Sequence, residues 1–175
     1  MSLSDSNKRI AGFHTEQDGR MAAVWMGIDT LSDVVTLYDC CLFNKEVLVV
    51  IAEGMNARGR WIPIAWESKN HDVSEHLLTR GCNMLYDSVK ETPELAEMLT
   101  RDIWERMRTG RFKVEKRLGE WLKEFELFGK QDGKVPISAF PLMAATRYAV
   151  ASLKEAKRLK SPAKHKSMAP KIAIL

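Results

Sequence analysis

The pattern of the chain changes early, and that change limits what it can fold into. Up to Tyr38 there are three β-rich runs: Lys8–His14, then Met21–Ile28 after Gln17-Asp18-Gly19, then Val34–Tyr38 after Asp29-Thr30-Leu31-Ser32-Asp33. Short runs rich in branched and aromatic residues, separated by Gly/Asp turns, predict an antiparallel meander. Beyond Tyr38, segments of helical period alternate with strand-like ones. A meander followed by alternation predicts an α/β domain: a mixed sheet, three antiparallel strands then two parallel, with helices on both faces.

The later segments carry their own signals. Asn44 is a candidate cap for a helix whose face is Val47, Val50, Ile51, Gly54 and Met55, ending at Gly59. Trp61-Ile62-Pro63-Ile64-Ala65-Trp66 reads as a buried strand with its proline at an unpaired position. Asp72-Val73-Ser74-Glu75 opens a helix that stops at Gly81, and Asn83–Tyr86 reads as a short strand. Thr92-Pro93-Glu94 joins a cap, a first-turn proline and an acid near the positive end of the helix dipole. The apolar face behind it is Leu95, Met98, Leu99, Ile103 and Met107. Arg111–Glu115 is extended, and Leu118, Trp121, Leu122, Phe125 and Phe128 line a further helix. A last helix is predicted from about Phe140 into the C-terminal tail.

Composition removes several classes of function. The longest apolar run, Val47–Ala52, is far too short to span a bilayer, and the first residues lack the basic start and apolar stretch of a signal peptide. Cys40, Cys41 and Cys82 show no metal spacing and no disulfide framework, so they read as reduced core residues of a cytoplasmic protein. The chain lacks a GxxxxGK[ST] loop, a GxGxxG after a strand, a GxSxG elbow and an HExxH pair. The net charge of +4 is uneven: Lys154–Leu175 holds seven Lys/Arg against one acid, which leaves the body slightly acidic. The chain therefore divides into residues 1–7, disordered or derived from a tag, a domain over 8–159, and a basic tail over 160–175.

Three stretches then gain weight together: Arg60–Trp66 with His71 just after it, Thr109–Val114 followed by Trp121–Phe125, and Ala145-Thr146-Arg147-Tyr148-Ala149. In this order and spacing they resemble the C-terminal, ribonuclease H-like nuclease domain of terminase large subunits from headful-packaging, short-tailed phages. The likeness spans roughly residues 8–155. It implies a domain that cuts concatemeric viral DNA beside an ATPase motor, in the cytoplasm of the host cell. It also implies two divalent metals held by carboxylates, one preparing the attacking water and the other the leaving oxygen.

The resemblance places the family's acids at positions where this chain has none. The first falls at His14, the second at about Lys69, the Asp pair opening the last helix at Phe140-Pro141, and a further Asp at Ala144. An ammonium repels dications, and a benzyl ring, a proline and a methyl group offer no oxygen. Glu16, Asp18, Glu67 and Asp72 are the nearby acids available as substitutes; otherwise they serve turns and caps.

Two main readings follow. In one, the domain keeps the terminase fold without its metals and without any cofactor, holding DNA or docking on the ATPase domain, the portal or another packaging protein. In the other, it is a Mg- or Mn-dependent endonuclease with relocated acids. A ribonuclease H-like fold in an unrelated nucleic-acid role is a third possibility. Arg106, Arg108, Arg111 and Lys113 at one helix–strand junction, with Lys157 and Arg158, are the candidate contacts to duplex DNA, against the plainer reading of a solvated basic edge.

Overall fold

The computed structural model describes residues 8–44, 46–130 and 132–159, so the expectations for residues 1–7 and 160–175 lie outside the described residues. The expected meander is present: β1 (Lys8–Thr15), β2 (Arg20–Asp29) and β3 (Val34–Asn44), each antiparallel to the next. β3 runs well past Tyr38, because a bulge there lets pairing resume with Asp39 opposite Trp25. Helix α1 (Leu48–Ala57) leads to β4 (Ile64–Trp66), which joins β1 in parallel. Helices α2 (His71–Thr79) and α3 (Pro93–Arg108) precede β5 (Phe112–Val114), parallel to β3, and α4 (Gly119–Leu127) and α5 (Pro141–Ala151) complete the order. The sheet reads β4-β1-β2-β3-β5 and has helices on both faces, the mixed α/β architecture expected.

Strand alternation separates the two faces. Ile10, Ala22, Val24, Met26 and Ile28 point to the layer built from α3, α4 and α5, while Ala11, Phe13, Ala23 and Trp25 point to α1 and α2. Every residue of α5 from Pro141 to Val150 is buried. Its approach to the sheet is so close that a Cβ on Gly12 would lie 1.9 Å from the Ala145 carbonyl oxygen. Glycine in β1 is thus what allows α5 to lie against the strand.

Several local expectations are corrected. Asn44 ends β3 instead of capping α1, and Val47 and Val50 are exposed; Ile51, Ala52 and Met55 make the buried face. Met98 is exposed as well, because α3 turns Ala96, Leu99, Thr100 and Ile103 inward. The segment after Gly81 forms no strand: Met84 and Val89 make single parallel bridges to Ile64 and Glu67 on the outer side of β4. The last helix stops at Ala151, and Lys157 returns to pair with Arg9 in β1. Of the cysteines, Cys82 is buried while Cys40 and Cys41 are half-buried, all three as free thiols. The cap at Thr92 is as expected, its side chain accepting from the Leu95 N–H at 3.2 Å. Among the described residues no helix is long and apolar enough to cross a membrane.

Candidate functional site

The register fixes two ends of the sheet. β1 and β4 run in parallel and finish together, Phe13 level with Trp66, so the residues that follow, His14 and Glu67, emerge side by side. Val89 bridges Glu67 from the outer side, which brings Glu91 to the same end. Helix α5 covers this end with Arg147 and Tyr148.

The buried groups here form one chain of contacts. The Tyr148 hydroxyl lies 3.1 Å from Nδ1 of His14 and donates to Glu91 Oε2 at 3.0 Å. Arg147 Nε donates to the other Glu91 oxygen at 2.6 Å, with both side chains almost wholly out of solvent. Both carboxylate oxygens of Glu91 are therefore engaged by side chains of α5. On its far side, His14 Nε2 lies 3.2 Å from Glu16 Oε1, outside hydrogen-bond geometry. Burial, together with the Glu91 and Glu67 carboxylates, pushes the Tyr148 phenol far above its ordinary value and keeps it a donor.

The sequence-derived site residues divide in two. His14, Glu16 and Glu67 are buried at this end, and Lys69 reaches back from solvent to Glu67 at 3.6 Å. Asp18 instead pairs with Arg20 in the β1–β2 turn, and Asp72 is exposed in the first turn of α2. Phe140 precedes α5 and packs edge-on against Phe128; Pro141 and Ala144 are buried in the helix itself. Sequence reasoning missed Glu91 and Glu124. Glu91 was detectable only as an acid next to the Thr92 cap. Glu124, in α4, accepts from the Met143 N–H at 2.8 Å and so supplies α5 with an acid at its N-terminal turn from another helix. Burial pushes Glu124 up to about 7 despite the backbone donors of Met143 and Leu142, and Glu16 adds to the rise.

The basic residues lie elsewhere. Arg106, Arg108, Arg111 and Lys113 surround the start of β5, next to the start of β3, and Lys157 pairs with Arg9 at the start of β1. All of these starts belong to the end of the sheet opposite His14. Arg106 is bound to Asp102 and Asp33, Arg111 to Asp33, and Arg108 to Glu105.

No protein-family profile and no curated protein matches this chain. Among solved structures, the nuclease domain of the P22 large terminase superposes with a TM-score of 0.80, covering 90% of this chain and 87% of that one at 21% identity. The chain has the fold of a large-terminase nuclease domain. The same terminase-nuclease fold is present in the large terminase nuclease domain of bacteriophage SPP1, solved with bound Mn. There the TM-score is 0.66 and identity 17%, over 83% of this chain and 86% of that one. It is present again in the Mn-soaked human cytomegalovirus terminase nuclease domain, with TM-score 0.55 and 12% identity over 84% of this chain and 85% of that one. The ribonuclease H-like architecture implied by the resemblance is thus the fold observed.

Proposed function

We propose that this chain is a terminase large-subunit nuclease-like domain that serves phage DNA packaging in the host cytoplasm by binding rather than by cutting. Its partners on this reading are duplex DNA and the packaging machinery, whether the ATPase domain, the portal or another packaging protein. The observation that carries the proposal is the side-chain set at the end of β1 and β4. Where a two-metal centre needs converging carboxylates, His14 is held by Tyr148, and Glu91 has both oxygens engaged by Tyr148 and Arg147. Lys69 places an ammonium 3.6 Å from Glu67, and Phe140, Pro141 and Ala144 bring no oxygen to the start of α5. Among the described residues, no group of three or more His, Cys, Asp or Glu is arranged to hold a metal ion. This donor set does not fit paired Mg or Mn ions.

The alternative, a Mg- or Mn-dependent endonuclease with relocated ligands, draws on Glu16 and Glu67, both buried at the same end. Incubation of the purified chain with supercoiled plasmid and manganese separates the two. The proposal expects intact plasmid. Manganese-dependent nicking that disappears in Glu67→Ala would establish the endonuclease instead.

A further inference from the structure

Two adjoining open grooves at the end of the sheet opposite His14 are edged with cations. One, of about 410 Å³, runs along α1 towards Arg80, just past the end of α2, and is lined by Glu53, Asn56, Arg60 and Arg80 among others. The second, of about 680 Å³, shares Arg60 and continues past Trp61, Gly81 and Asn83 to Lys157 and Arg158. Arg60, Arg80, Lys157 and Arg158 are all exposed, and among the described residues none of them forms an ion pair. Among the described residues, Glu53 is the one acid lining either groove. The arginines around β5, by contrast, already face Asp33, Asp102 and Glu105.

Lys157 and Arg158 are held in place. Lys157 exchanges two backbone hydrogen bonds with Arg9, at 2.7 and 3.0 Å, so it is anchored to the sheet beside Trp61. Arg9 lies over the rings of Tyr38 and Trp61, 5.4 and 5.7 Å from their centroids, and fixes that wall. Arg158 is steadied by a hydrogen bond to Thr30 at 3.2 Å. From Leu159, which lines the second groove, the sequence continues with four lysines and no acid.

We propose that these grooves, and not the His14 end of the sheet, hold the sugar-phosphate backbone of duplex DNA through Arg60, Arg80, Lys157 and Arg158. Planar guanidinium forks suit phosphate oxygens, and cations spread over two connected grooves suit an evenly spaced polyanion. The inference rests on the reading of this domain as one that works on DNA by binding.

The test uses the full chain and a short fluorescein-labelled duplex, with anisotropy followed between about 50 and 200 mM salt. Parent binding should weaken steeply over that range. Arg60→Glu with Arg80→Glu, and separately Lys157→Ala with Arg158→Ala, should each weaken binding about tenfold and lower the log–log salt slope by about 2. Lys69→Ala, at the other end, should bind as the parent does. All four groove positions are exposed, and unchanged melting curves would confirm intact folding. Groove variants that bind like the parent, a parent that does not bind duplex, or displacement of the duplex by a polyglutamate peptide at equal charge concentration would each overturn the inference. The plasmid assay reads the proposed function separately: nicking with unaltered groove dependence overturns that reading and leaves this one standing.

Discussion

The Tyr148 hydroxyl stands 3.1 Å from His14 Nδ1 and 3.0 Å from Glu91 Oε2, which links the last residues of β1 to a buried carboxylate through helix α5. Replacing it with phenylalanine keeps the ring and removes the link. Tyr148→Phe is expected to lower stability by about 1–3 kcal/mol, because two buried polar groups lose a partner at once. Urea unfolding measures this, and a change within error would mean that the contacts contribute nothing net.

Glu91 and Arg147 make a stronger case for coupling, since their 2.6 Å pair is buried on both sides. Either Glu91→Gln or Arg147→Met alone should cost about 3–5 kcal/mol, through the charge left unpartnered. The double variant should lose much less than the sum of the two, because neither charge then remains. A double-mutant cycle checks this; additive losses would contradict it.

Two glycines should respond in opposite ways. Gly12→Ala sets a methyl 1.9 Å from the Ala145 carbonyl oxygen, a backbone atom that cannot swing aside, and should cost about 3 kcal/mol or prevent folding. Gly54 lies inside α1, and its added methyl would meet Phe43 at an ordinary 3.6 Å. Gly54→Ala should raise stability by up to about 1 kcal/mol through helix propensity. Paired denaturation curves decide both.

The Glu124 carboxyl has a defined pH signature. Burial raises it from 4.5 in the unfolded chain to about 7 in the folded one, so between those values the native state binds more proton than the unfolded state. Its contribution to stability is therefore complete below the lower value, declines as pH rises through the window and levels off above it. Glu124→Gln keeps an acceptor for the Met143 N–H and removes the titration. The variant should gain stability relative to the parent on going from the acid side of the window to the alkaline side. Urea midpoints at both pH values test this, and a constant difference would refute it.

Local order alone carried much of the architecture. The unbroken apolar runs of β1 and β2 marked strands, and they are buried on both faces, since successive strand residues point to opposite layers. Thr92-Pro93-Glu94 marked the start of α3, because a side-chain acceptor and a proline suit only the first turn. Tertiary structure alone decided the site. Glu91 meets Arg147 across 56 positions, and Glu124 reaches the start of α5 from α4; no local period encodes contacts made by folding distant segments together. The basic residues read as charge along the sequence, but strand direction sent Arg111 and Lys157 to the end opposite His14, while Asp33 neutralised Arg106 and Arg111. Charge is written residue by residue, whereas which charges remain free to meet a partner depends on what the fold places beside them.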